Sequence, residues 1–328
     1  MGSRKKTSGR RSRSSRRFGS AELREAVACG KETAKEIEAV RKVQRRTRAR
    51  AVRAAASRRG RAARAVPASA VAKLGGFTAV GTLIAEGDSW FDYPLNDVLS
   101  LLEDEHGYDV ESVAHKGDRV EDMAFAPGQL LDFSRRLEKV LLRGTVPRAI
   151  LLSGGGNDIA GTEFGMLLNH AASPIGGLND DVVTGVIDKR AKISYTTILS
   201  AVSAISQQHL GRPLPILIHG YAFPVPDGRG FIGGFGPLPG PWLEPGFREK
   251  GFSDLRRNTA IMQTLIDRFN GMLQSVAAMF AHVSFVDLRR TLSNDAQYKR
   301  DWANELHPTP SGFRLVAAKF AAALDALP

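Results

Sequence analysis

Thr82-Leu83-Ile84-Ala85-Glu86-Gly87-Asp88-Ser89-Trp90-Phe91 is an apolar run that stops at a glycine and passes at once into a polar turn and two aromatics. Residues 82–85 read as a strand ending at Gly87, which leaves Ser89 on the turn beyond its carboxyl end. The same pattern recurs down the chain. Residues 109–114 read as a second strand. The third, Ala149-Ile150-Leu151-Leu152, has the all-apolar character of a strand buried on both faces. It runs into Gly154-Gly155-Gly156-Asn157-Asp158. Residues 214–219 and 283–286 supply a fourth and a fifth strand.

Helical stretches fill the intervals at 97–105, 128–142, 181–209, 254–280 and 311–327. In 128–142 the apolar residues Leu130, Leu131, Phe133, Leu137, Val140 and Leu141 recur near the 3.6-residue period. Strands alternating with helices predict right-handed βαβ crossovers and an α/β fold, with one parallel five-stranded sheet covered on both faces. Ligands of open α/β sheets bind beyond the carboxyl ends of the strands. Ser89 and Asn157 are placed there, and His307, in Asn304-Glu305-Leu306-His307-Pro308, lies just before the last helix.

The 328 residues carry a net charge of +12, but the charge is divided unevenly. Residues 1–66 hold 22 Lys and Arg against five Glu, whereas the remainder holds 24 basic against 29 acidic residues. The boundary predicts a basic, Arg-rich arm over 1–75 and a separate α/β domain over 76–328. Residues 1–19 are too poor in apolar side chains to order themselves. From Ser20, a plausible N-cap, the composition favours helix, with Leu23, Val27, Ala34 and Ile37 roughly on one face. Such an arm suits a polyanion, either nucleic acid or an anionic surface, or else serves only as a solubilising extension.

With 43% hydrophobic residues and no apolar run of about 18, no transmembrane segment is expected. The basic N-terminus lacks a following apolar stretch, so a cytoplasmic protein is expected. The lone Cys29 excludes an intramolecular disulfide. No His, Cys, Asp or Glu cluster has metal-ligand spacing, and neither a metal nor a cofactor is expected.

A serine, a histidine and a glycine-flanked asparagine make coherent chemistry. A serine hydroxyl needs an adjacent base, and histidine titrates close to working pH. The tetrahedral intermediate needs preorganised donors. In their order and setting, the Gly87–Phe91, Gly154–Asp158 and Asn304–Pro308 blocks resemble those of the SGNH (GDSL-type) hydrolase superfamily over about residues 79–325. The resemblance implies a three-layer α/β/α, flavodoxin-like fold, Ser89 as nucleophile and His307 as general base. It also implies an oxyanion hole made by the Ser89 N–H, the N–H of Gly117 in Ala114-His115-Lys116-Gly117-Asp118, and the Asn157 side chain.

One position departs from the family. The aspartate usual three residues before the histidine is Asn304 here, and an amide orients an imidazole without supplying a charge. Asp301 and Glu305 are the nearby acids. A triad through one of them and a dyad oriented by the Asn304 amide are both open. Trp90 and Phe91 are expected to pack beneath the site or line its wall. Phe223, Phe231, Phe235, Trp242 and Phe247 lie in a Gly- and Pro-rich segment over 221–252, and Phe223 and Trp242 are candidates to line a substrate pocket. His115 and His219 are expected to be structural.

The expected function is cleavage of a carboxylic ester of a small molecule, lipid or glycan through a Ser89 acyl-enzyme, of esterase/lipase type or as a carbohydrate-ester deacylase. Acyl transfer to an alcohol would use the same residues. An inactive hydrolase fold whose arm binds a polyanion is the alternative from a different class.

Overall fold

Residues 43, 46–54, 73–74, 77–94, 96–161, 163–234 and 239–328 are described by the computed structural model. The expected helix from Ser20 to Ile37, the Arg-rich stretch before it, Cys29 and Phe235 lie outside the described residues.

Five strands, β1 (Thr82–Glu86), β2 (Asp109–Ser112), β3 (Ala149–Leu152), β4 (Ile216–His219) and β5 (Val283–Val286), form one sheet in the order β2-β1-β3-β4-β5. All four pairings are parallel. This is the doubly wound flavodoxin-like order. In the register Leu83 faces Ala149 and Ala85 faces Leu151, so the sheet centre is wholly aliphatic. Every residue of β1, β3 and β4 is buried, as expected of strands covered on both faces.

The helices that cover the sheet are α1 (Val98–Asp104), α2 (Gln129–Leu142), α3 over residues 180–210, α4 (Leu255–Ala277) and α5 (Pro310–Ala326). Helix α3 includes a π-helical stretch over Thr184–Ala191. Helices α1 and α5 pack together on one face of the sheet, and α2, α3 and α4 on the other, completing three layers. Sequence-local caps fix several starts. Asp97 and Ser100 form a capping box on α1, and Asp254 accepts the N–H groups of Arg256 and Arg257 on α4. Thr309 caps α5 ahead of Pro310.

The strands differ from expectation at three ends. β4 begins at Ile216 because Pro215 has no N–H for the ladder, and its carbonyl still accepts from Ile150 N (2.9 Å). β2 stops at Ser112, whose hydroxyl takes the N–H of Ala114 (3.0 Å). β1 runs one residue further, through a buried Glu86.

The described end of the basic segment, the helix over residues 46–54, packs on this domain. Ala49 and Ala51 are buried. Arg48 reaches across to Asp104 (2.8 Å) and Glu103 (2.6 Å) at the end of α1. No helix among the described residues is long and apolar enough to cross a membrane.

Candidate active site

Ser89 sits on a tight turn directly after β1. The carbonyl of Asp88 accepts the N–H groups of Phe91 (3.0 Å) and Asp92 (3.1 Å), and its side chain accepts Trp90 N (3.0 Å). The Asp88 carboxylate is buried and also takes the hydroxyls of Ser153 (2.7 Å) and Tyr221. Tyr221 in turn accepts the N–H of Gly156 (3.0 Å). One side chain thus ties the end of β1 to the loops after β3 and β4. Buried polar groups persist only when they are satisfied in this way.

His307 reaches the serine from the loop before α5. Its Nε2 lies 2.8 Å from Ser89 Oγ, and its Nδ1 lies 3.0 Å from Asn304 Oδ1. Asn304 Oδ1 also accepts the backbone N–H groups of Leu306 (3.0 Å) and His307 (2.9 Å), while Asn304 Nδ2 donates to the Tyr93 hydroxyl (3.1 Å). The two backbone N–H groups on this atom identify it as the amide oxygen, an acceptor, so the Nδ1 facing it carries the ring proton. The Nε2 lone pair is left facing the Ser89 hydroxyl. Burial pushes the His307 imidazole down to about 3, so the ring is neutral at pH 7.

Neither nearby acid joins this arrangement. The Asp301 carboxylate accepts Ser293 N (2.9 Å) and pairs with Arg300 (3.1 Å). Glu305 is fully buried and accepts four backbone N–H groups, from Gly228 (2.9 Å), Trp242 (2.6 Å), Leu243 (2.8 Å) and Glu244 (3.0 Å). The expectation that Asp301 or Glu305 assists the imidazole is therefore corrected. Both carboxylates are engaged elsewhere, Glu305 by backbone and Asp301 by Ser293 N and Arg300, and the Asn304 amide is the group behind His307.

On the other side of Ser89, the glycine block brings up Asn157. Gly155 has φ +91°, and a Cβ there would lie 2.3 Å from the Phe269 ring, so only glycine fits. Asn157 Nδ2 donates one hydrogen to the Asp118 carbonyl (2.9 Å), which fixes the amide and leaves its second hydrogen free. Gly117, also at φ +93°, precedes Asp118 on that turn. Among the described residues, the N–H groups of Ser89 and Gly117 have no acceptor.

Two cavities meet at Asn157. A small one of about 40 Å³ is lined by Ser89, Trp90, Asn157 and apolar residues including Ile159, Leu243 and Met262. A larger one of about 300 Å³ is lined by Gly117, Arg119, Asn157, Glu163, Arg190 and others. The expected lining residues divide. Trp90 touches the small cavity, but it is buried, stacks on His219 and donates from Nε1 to the Leu306 carbonyl (3.1 Å). Trp242 meets His307 edge to face, with ring centroids 5.4 Å apart. Phe91 is core, against His219 and Phe320, because the turn directs it under the sheet end. Phe223 lines a different, polar cavity beside Arg289 and Lys319. Phe231 and Phe247 pin the 221–252 segment, on Tyr93 and on Phe164 respectively. His219 is fully buried and donates from Nδ1 to the Gly220 carbonyl, whereas His115 is exposed beside Asp118.

Sequence reading missed Asp88, Tyr93 and Tyr221. Asp88 stood beside the serine in a quoted block, and its neighbours were the available signal. Tyr93 stacks on His307 at a centroid distance of 4.2 Å and an interplanar angle of 21°. No group of three or more His, Cys, Asp or Glu comes together to hold a metal among the described residues.

No protein-family model matches the sequence, and no curated protein matches it. Solved structures do. A protein from Slackia heliotrinireducens provisionally assigned as an SGNH hydrolase is 15% identical, with a TM-score of 0.43 over 74% of this chain and 97% of its own. An acetyl-xylooligosaccharide esterase from Geobacillus is 14% identical, with a TM-score of 0.42 over 76% and 96%. An alpha/beta hydrolase from a lake metagenome is 14% identical, with a TM-score of 0.39 over 76% and 97%.

Proposed function

We propose that this chain is a serine hydrolase of carboxylic esters, of SGNH type. The observation that carries the proposal is the 2.8 Å contact between Ser89 Oγ and the neutral, correctly protonated His307, whose Nδ1–H is held by Asn304. Ser89 Oγ attacks the ester carbonyl while its proton passes to His307 Nε2. The resulting oxyanion is met by the N–H groups of Ser89 and Gly117 and by the free amide hydrogen of Asn157. The imidazolium then gives its proton to the departing alkoxide, and the acyl group remains on Ser89. Water repeats the sequence and releases the acid.

The two cavities support a division of the ester into a small acyl group and a polar alcohol. The apolar one, at about 40 Å³, holds an acyl group of only a few heavy atoms. The larger one, with Arg119, Glu163 and Arg190 on its walls, suits a polar, hydroxyl-bearing alcohol. Two measurements test this: mapping the residue labelled by a fluorophosphonate probe, and comparing acetyl with octanoyl esters of one chromophore. Labelling at Ser89 with strong acetyl preference is expected. Absence of labelling, or turnover unaffected by Ser89→Ala, overturns the hydrolase reading.

A further inference from the structure

Protonated His307 is left without a counter-charge by its own loop. Asn304 orients the ring through three N–H groups on one oxygen, but it is neutral. Burial lowers the imidazole, and among the described residues no carboxylate hydrogen-bonds to it. The groups that face the ring are Ser89, Asn304, Trp242 and Tyr93. The Tyr93 ring lies nearly parallel over the imidazole, 4.2 Å away between centroids.

We propose that Tyr93 is a positioning residue whose aromatic face stabilises the His307 imidazolium in place of the missing carboxylate at position 304. The proposal rests on the Ser89–His307 reading above. The face of an aromatic ring carries the negative part of its quadrupole, and a cation within about 6 Å of the centroid is attracted to it, most strongly where water is excluded. The ring is itself held in place. Phe231 meets it edge-on at 5.9 Å and Phe313 packs at 5.7 Å, while its hydroxyl accepts from Asn304 Nδ2 (3.1 Å). Tyr93 follows Ser89 by four residues on the turn that Asp88 braces, so nucleophile and stacked ring are carried by one rigid segment. Tyr93 joins the orienter through its hydroxyl and the base through its face, and these two contacts are separable by mutation.

A double-mutant cycle tests this with a chromogenic acetyl ester. Tyr93→Phe keeps the face and loses the hydroxyl, so kcat should fall about threefold. Tyr93→Leu loses both, and kcat should fall about thirtyfold with KM within about twofold. In an Asn304→Asp background a carboxylate supplies the charge, and Tyr93→Leu should then cost about threefold or less. Tyr93→Met serves as the second non-aromatic variant should the leucine protein melt near assay temperature. Equal losses from Tyr93→Leu in both backgrounds would mean that the ring only fills space and would overturn the proposal. So would Tyr93→Phe proving as damaging as Tyr93→Leu. Fluorophosphonate labelling of the wild-type chain separates the two readings. No label at Ser89 removes the hydrolase and Tyr93 together, whereas a label with an additive cycle removes only Tyr93.

Discussion

The turn that carries Ser89 and the loop that carries His307 are anchored by opposite kinds of group. Beneath the serine lies a buried carboxylate, Asp88, that collects a backbone N–H and two hydroxyls from three separate segments. Behind the histidine lies a neutral amide, Asn304, that collects three N–H groups from its own short loop. The histidine loop does contain buried acids, but Glu305 and Asp301 turn away to brace the 228 and 242–244 backbone and the 293 turn. In this molecule holding the backbone and charging the imidazole are therefore separate tasks. The acids brace backbone between segments, whereas an amide that braces its own loop and a stacked aromatic ring are what touch the imidazole.

The largest effects should fall where both regions meet. Ser89→Ala and His307→Ala should each lower kcat on an activated ester by at least about a thousandfold, and the double variant should be little worse, because the pair acts as one unit. Strictly additive losses would show that the two regions do not work together. Asn157→Ala should cost about a hundredfold by removing one oxyanion donor, with melting temperature nearly unchanged. An unaltered kcat would take Asn157 out of the site.

The next test sits on the neutral side of the contrast. Asn304→Ala should lower kcat by about thirtyfold through loss of the bond that fixes the His307 tautomer. Asp301→Ala should instead lower the melting temperature and leave kcat much closer to wild type. If Asp301→Ala proves the more damaging to turnover, the contrast drawn above is wrong.

The pH profile carries the same distinction. With His307 held down to about 3 by burial, against about 6.5 in an unfolded chain, kcat/KM should stay level from pH 7 to pH 5. The unfolded chain takes up a proton below about 6.5 that the folded chain refuses. This contribution to stability is therefore complete above that pH and declines as pH falls towards 3. Asn304→Asp should move the acid limb upward, towards neutrality. An acid limb near 6.5 in the wild-type protein would contradict the burial argument.

The sheet was legible because apolar runs that end in glycine or a polar turn leave little choice of register or role. Residues 149–152 are the clearest case. The places of Ser89 and Asn157 beyond the strand ends, and of His307 before the last helix, were legible from the same pattern of strands and turns. The first strand was read over residues 82–85, with Glu86 left between it and Gly87. In the fold the Glu86 carboxyl is pushed up to about 8 by burial, so it is neutral and stays in the strand. The orienting group was not legible: Asp301, Asn304 and Glu305 all lie within six residues of His307, and only the path of the loop selects among them. For a related reason the sequence did not choose between a buried and a wall position for Phe91, and it placed Phe223 at the wrong cavity. An aromatic next to a site points inward or outward according to a turn angle that composition does not encode. The Tyr93 stack depends on two loops more than 200 residues apart in the chain and leaves no local signal.

The smallest effect on chemistry should come from the basic segment, which offers a last comparison between its two ends. Residues 1–42 carry 13 Lys and Arg against five Glu, about half of the net positive charge over 1–66, and no catalytic block. Their removal should leave ester hydrolysis within about threefold while weakening retention on a polyanion such as duplex DNA. If about six phosphates are neutralised, log K for the intact chain should fall with log salt at a slope near −5. Removal of residues 1–66 also takes away the helix over 46–54. Arg48 then no longer reaches Glu103 and Asp104, and the surface beneath Ala49 and Ala51 is exposed. Partly exposed ion pairs are worth little each, and the buried alanines add only small side chains, so about 1–2 kcal/mol of stability should be lost. The longer truncation should melt several degrees below the shorter one at similar kcat. Equal melting temperatures would show that the docked helix contributes nothing. A collapse of kcat in the longer truncation alone would mean that the end of α1 transmits strain to the turn carrying Ser89, since Asp97, Ser89 and Asp88 lie on the one connection between β1 and α1.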